Sequence, residues 1–209
     1  MINDERFLRL KKFFTSFSGI GERQAKRFVY ELLRMDDKNI KEVSEAMNSI
    51  VRDIKKCEEC GLFCNHSVNK KCNICGDKTR DGKIVMVVEK DSDVYAIESS
   101  QEYKGKYIVL GRLIPMTNSQ EDSGALSYFH NTIKKMVNEG LGEVVLAFSA
   151  TPNGDHTTDI IQNSVSKQFP KIKITVLGRG LSSGSELEYS DANTILHAIK
   201  SRNSLNKKN

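Results

Sequence analysis

The chain has 209 residues, enough to bury a sizeable core, and its formal charge of +5 is a modest basic bias that makes polyanions plausible partners. No run of about 18 apolar residues occurs, which excludes a membrane-spanning helix. The opening MINDERFLRL is charged where a secretion signal would be apolar, so a soluble, cytoplasmic protein is predicted.

The first elements read as helices. Phe7, Leu10, Phe13, Phe14 and Phe17 recur at helical spacing before Gly19, and Ala25, Phe28, Val29, Leu32 and Leu33 do so after it. The break, FSGIGERQAKRF (17–28), puts Gly19 and Gly21 where a backbone could approach a phosphate closely, at the start of a helix whose free amides point at it. Arg23 and Arg27, one turn apart, with Lys26 adjacent, would grip that phosphate without reading bases. Residues 1–30 hold seven Lys or Arg against Asp4, Glu5 and Glu22. An ordinary helix turn with a solvated face is the plainer alternative. A further amphipathic stretch carries Ile40, Val43, Ala46, Met47 and Ile50.

All five cysteines then fall within residues 57–75, in CEECGLFCNHSVNKKCNICG (57–76). A reducing interior disfavours disulfides, whereas Cys57-x2-Cys60 and Cys72-x2-Cys75, eleven residues apart, are two hooks of the kind that close a tetrahedral Zn2+ site. Cys64 could replace Cys60, and His66 could enter by the same route. Gly61 and Gly76, one after each hook, favour the paired set as permissive turn residues. Four thiolates leave no open position, so the zinc, one per chain, is predicted to be structural. The segment is too small and polar to fold on apolar burial alone.

From Lys83 onward the pattern changes to short Val/Ile/Leu-rich runs at 84–89, 106–111, 143–149 and 173–178, the mark of strands buried on both faces of a parallel sheet. Helical patterns at 124–139 and 157–169 supply crossovers, and a last helix lies near 191–202. Glu89 ends the first strand, where an open α/β sheet places its ligands. Metal-dependent phosphoryl or topoisomerase chemistry would need an Asp-x-Asp pair on a later strand end; with Gly154 taken as the turn glycine of that motif, Ser149 and Thr151 fall in those places. Asp155 and Asp159 are nearby. An Mg2+-dependent nuclease or primase-like enzyme using Glu89 is the alternative to a binding protein.

The order of these parts, with SGIGERQAKRF, CEEC and CNIC, VVEKDSDVYAIESSQEYKGKYIVL (87–110) and GLSSGSELEYSDANTILHAIKSR (180–202), closely resembles the bacterial RecR recombination mediators over nearly the whole chain. The resemblance implies an α/β protein in four parts. These are a helix-hairpin-helix DNA-binding domain (1–53), a four-cysteine zinc finger (54–78), a Toprim domain with a mostly parallel sheet (79–178), and a C-terminal Walker-B-like segment with a helix (179–209). It implies a non-catalytic DNA-binding repair protein that acts with RecO and RecF to load recombinase onto gapped or coated single strands, as a homodimer or homotetramer. Arg23 and Arg27 then carry DNA contacts, Cys57, Cys60, Cys72 and Cys75 the zinc, and Glu89 with Asp155 a vestigial acid site or partner surface. Asp191, with Glu186 and Glu188 near it, matches the Walker-B-like stretch, but no GxxxxGK[ST] loop accompanies it. Ser18, Ile108 and Asn153 stand where the family commonly has Pro, His and Glu. The cysteine module is expected to act as a fastener between the hairpin and Toprim parts.

Overall fold

The computed structural model describes residues 4–65, 70–116, 123–178, 180, 181, 184 and 186–202. The chain divides into two compact units, one ending at Ile54 and one beginning at Lys55.

The first unit is helical: α1 (Glu5–Thr15), α2 (Glu22–Arg34) and α3 (Asp37–Asp53). Asp4 opens α1 by accepting the amide of Arg6 at 2.8 Å, and Asp36 opens α3 by accepting that of Asn39 at 2.7 Å, each satisfying a donor that a helix start leaves unpaired. The spacing of the aromatic residues on α1 brings Phe7 edge-on to Tyr30 (5.3 Å between centroids) and Phe14 edge-on to Phe28 (5.5 Å). Phe7, Ala25 and Val29 form the buried seam beneath them. No residue of α3 is buried.

A two-stranded ribbon of β1 (Ile54–Lys56), whose first residue closes the first unit, and β2 (Phe63–Asn65) comes next, followed by the one-turn helix α4 (Asn73–Gly76). Next come β3 (Asp81–Val88), α5 (Asp91–Ser99), β4 (Gly105–Val109), α6 (Ser123–Asn138), β5 (Glu143–Ala147), α7 (Pro152–Gln168) and β6 (Lys173–Val176). The four long-range strands form one fully parallel sheet in the order β4-β3-β5-β6. Val88 of β3 lies opposite Val109 on one side and Ala147 on the other.

The unbroken apolar character of Val85–Val88 has a direct cause, because all four side chains are buried and they alternate between two cores. Val85 and Val87 join Ile108, Val144 and Leu146 beneath Phe129 and Ile133 of α6 and Ile161 and Val165 of α7. Met86 and Val88 join Tyr107, Val109 and Val94 of α5, and the cover there is completed by Leu62 and the four cysteines Cys57, Cys60, Cys72 and Cys75. The cysteine module is thus half of the layer on one face of the sheet.

Three elements differ from the sequence expectation. Helix α7 begins five residues earlier than predicted, because Thr151 caps it by accepting the amide of Gly154 (3.2 Å) and Pro152 supplies a preset first turn, features that carry no apolar period. Helix α5 was not anticipated; of its residues only Val94 is buried, too little to leave a periodic trace. The second glycine of the hooks also departs from expectation. Gly61 has φ +78°, but Gly76 closes α4 without a positive φ, so only the first hook needs a glycine turn. After the sheet come a 3-10 turn at Leu187–Tyr189 and α8 (Ala192–Lys200).

Candidate functional site

The chain builds its cysteine site from two hooks. In the first, the amide of Gly61 donates to the Cys57 carbonyl at 2.9 Å and the amide of Cys57 to Leu62 at 2.8 Å. In the second, Gly76 donates to the Cys72 carbonyl at 2.9 Å. The hooks bring the Sγ atoms of Cys57, Cys60, Cys72 and Cys75 within 4.8 Å of one another, with Cys60 and Cys72 at 3.5 Å. A tetrahedron with metal–sulfur bonds of about 2.3 Å has edges near 3.8 Å, so the quartet fits a closed four-thiolate ion. The four are no more than 6% exposed, and main-chain amides already point at two sulfurs: Cys72 N to Cys57 Sγ (3.3 Å) and Cys75 N to Cys72 Sγ (3.4 Å).

Crowding also couples the four thiols to one another. Hydrogen bonds from Cys60, then Cys72 and Cys75, hold the Cys57 thiol far below its ordinary value, while donation to Cys57 pushes Cys75 up. A cation among them replaces these shared protons. The four cysteines can therefore bind a metal ion. Cys64 is half-buried, stands outside the quartet and keeps a raised pKa through burial and through the charges of Cys57 and Cys72. His66, the other candidate ligand, lies outside the described residues.

The module is tied by one bond to the sheet and by one to α5. Val109, at the end of edge strand β4, donates its amide to the Cys60 carbonyl at 2.8 Å. Asp91, at the start of α5, accepts the amide of Phe63 at 2.7 Å through Oδ1. Gly61 lets these surfaces meet, since a Cβ there would stand 2.9 Å from the Val109 carbonyl and 2.8 Å from Tyr128 Oη.

At the carboxyl ends of the strands, Glu89 lines a cleft of about 300 Å³ with Lys90, Asp93, Ala147, Ser149 and Leu177. Of the residues named from the sequence, the fold brings Glu89 and Ser149 into this cleft. Thr151 instead faces Ser149 at 3.2 Å while capping α7, and Asp155 and Asp159 are exposed on α7 outside the cleft lining. Asp93, not anticipated, is the second carboxylate of the cleft, and it is engaged by the amide of Lys90 at 3.0 Å. The D-S-D spacing at 91–93 was the available signal. Asp191 caps α8, accepting the amide of Thr194 at 3.0 Å and its hydroxyl at 2.6 Å.

In the helical unit, Gly19 adopts φ +82° and Gly21 forms the start of α2 without a side-chain cap. No described residue accepts from the amides of Glu22, Arg23 or Gln24. A Cβ at either glycine would meet nothing within 4 Å, so the turn is open. Ala25 and Val29 turn inward, while Arg23, Lys26 and Arg27 are exposed. Lys26 lies 5.8 Å from the Tyr30 ring centroid, and Lys11 pairs with Glu22 at 2.6 Å.

A parallel sheet with a carboxylate closing its first strand and a four-cysteine module laid on one face defines a Toprim protein carrying a metal-binding cysteine module. The Toprim domain family matches residues 83–178, and the family described as "RecR, C-terminal" matches residues 180–203. The recombination protein RecR of Lactococcus lactis subsp. cremoris is 33% identical over 203 residues, 97% of this chain and 98% of its own. That of Pediococcus pentosaceus is 36% identical over 199 residues (95% and 96%), and that of Bacteroides thetaiotaomicron 34% over 189 residues (90% and 89%). The chain belongs to the RecR family of recombination proteins. No described helix is long and apolar enough to cross a membrane.

Proposed function

We propose that the protein is a non-catalytic DNA-binding factor of recombinational repair, held in shape by one structural zinc ion, that works in the cytoplasm with RecO and RecF to load recombinase onto gapped or coated DNA. The recombination role is drawn from the relatives, which are named recombination protein RecR. The DNA reading is carried by the open turn at Gly19–Gly21, where the first three amides of α2 meet no acceptor among the described residues and Arg23, Lys26 and Arg27 stand exposed beside them. Amides at a helix start attract a phosphate, and cations one turn apart hold its neighbours, which gives affinity without base readout.

Zinc is favoured over other ions because four buried thiolates at tetrahedral separations are its characteristic donor set. The ion's contribution would be shape, since the set leaves no position for water. Among the described residues no Asp-x-Asp pair stands beside Glu89, which supports a non-catalytic role; Ser149 lines that cleft, and Asp93 is engaged by a main-chain amide. In this reading Glu89 and the exposed Asp155 belong to a partner surface, and copies of the chain associate as a homodimer or homotetramer. The four-part division at 1–53, 54–78, 79–178 and 179–209 follows these roles.

The test is duplex affinity of Arg23→Ala/Arg27→Ala, measured by fluorescence anisotropy on several unrelated sequences. Uniform weakening is expected. Unchanged affinity at moderate salt would remove the hairpin from the mechanism.

A further inference from the structure

Phe63 of β2 and Tyr95 of α5 come from different elements yet line one cleft of about 690 Å³, with Asn65, Asn73 and Glu98 also on its walls. Their placement has an identifiable cause. Asp91 accepts the Phe63 amide at 2.7 Å, and Tyr95 follows Asp91 by four residues, one helical turn along the same face of α5. The bond that docks the ribbon on α5 therefore sets both rings at the cleft. Both rings are left largely in solvent, Phe63 at 47% exposure and Tyr95 at 60%.

The polar lining suits one class of ligand. Asn65 and Asn73 are exposed amides that can donate and accept along a base edge. Glu98, the one carboxylate on the lining, is bonded to Arg80 and Tyr107, so its charge is countered. Lys56, which lines the neighbouring cleft with Gly61 and Tyr128 rather than this one, holds its ammonium over one face of the Phe63 ring, 5.4 Å from the centroid.

We propose that this cleft takes bases of single-stranded DNA, stacked on Phe63 and Tyr95, with Lys56 beside the sugar-phosphate backbone. Aromatic faces accept every base, so the site is sequence-tolerant. Duplex DNA keeps its base faces inside the stack and gains nothing there. The countered carboxylate, the amides and the lysine fit a nucleic acid strand better than a peptide. The inference rests on the DNA-binding reading above and adds a strand preference carried by residues of the second unit.

The test uses the full chain with labelled oligo(dT) and a blunt duplex of equal length, by anisotropy across a salt series. Phe63→Ala/Tyr95→Ala should bind oligo(dT) about tenfold or more weakly with the salt slope unchanged, because stacking releases no counterions. Duplex affinity should stay within about twofold, since no stacked base is reached. Tyr95→Ala alone, on an exposed helix face where alanine is well tolerated, should show part of the loss without touching the metal module. Tyr95→Phe should restore it. An oligonucleotide bearing 5-bromodeoxyuridine should photo-crosslink to the peptide holding Phe63 or Tyr95. Oligo(dT) affinity unchanged in the double variant, as a peptide-binding cleft would give, overturns the proposal. So does an equal loss on both probes. Failure of the hairpin reading shows separately, as duplex affinity unaffected by Arg23→Ala/Arg27→Ala.

Discussion

The amide of Val109 donates to the carbonyl of Cys60 at 2.8 Å, joining the edge of the parallel sheet to a metal hook. An edge strand otherwise leaves such groups unpaired. The same contact places Cys60 and its three partners against Met86, Val88, Tyr107 and Val109, so the thiolate cluster and one face of the sheet form a single core.

Loss of one ligand should therefore reach beyond the module. Cys60→Ser is expected to reduce metal content from one per chain and to lower the melting temperature by roughly 10 °C, since a structural ion contributes folding free energy and a few kcal/mol shifts a chain of this size by that much. Cys64→Ser should retain the metal and the melting temperature. Elemental analysis with calorimetry of the two variants checks both, and metal loss in Cys64→Ser would show that the quartet is wrongly chosen.

The hairpin has a salt signature as well as an affinity. Each phosphate contact removed lowers the slope of log K against log salt by about 0.9, so Arg23→Ala/Arg27→Ala should flatten it by roughly two. A slope equal to the parent's would mean that neither arginine meets a phosphate.

Glu98 gives the acid limb of stability a defined contributor. The Arg80 guanidinium, then the Tyr107 hydroxyl, hold its carboxyl below its ordinary value of 4.5 against the cost of burial. The folded chain thus binds fewer protons at this site than the unfolded chain, so the stabilisation is fully present above pH 4.5 and is lost as the pH falls through the depressed value. Denaturation midpoints measured from neutral pH downward should decline in that window, and Glu98→Gln should decline less steeply there.

Gly154 marks the closest approach in the strand-end loop. A Cβ would lie 2.0 Å from the Ser149 carbonyl oxygen, with main chain as the obstacle. Gly154→Ala should cost about 3 kcal/mol, at the upper end of overpacking penalties, even though alanine favours helices. Chemical denaturation measures this, and a stabilised variant would mean that the loop yields freely.

Glu89 separates a binding surface from an enzyme. The purified protein with Mg2+ is expected to leave single-stranded and duplex DNA intact, and Glu89→Ala to behave alike. Metal-dependent cleavage abolished by Glu89→Ala would establish catalysis at the cleft.

Much of this architecture was legible because its causes are local. The four strands announced themselves as runs without alternation, since burial on two faces demands apolar residues at successive positions, as Val85–Val88 show. The cysteine spacing named the quartet of sulfurs that the fold brings together. Helix α5 and the start of α7 were not legible. They are held by caps and by Val94 or the buried Thr157, which donates to Asn153 and accepts the Ile114 amide, and such contacts leave no period in the chain.

The sequence by itself determined the parallel sheet, the helical hairpin and which four thiols could share an ion, because periodicity, glycine placement and ligand spacing act over a few residues. Only the tertiary structure decided that the cysteine module covers one face of the sheet and that Asp91 brings Phe63 and Tyr95 to one cleft. Those relationships join residues far apart in the chain, such as the hydrogen-bonded Cys60 and Val109, and arise from packing against a surface that exists only once the strands have paired.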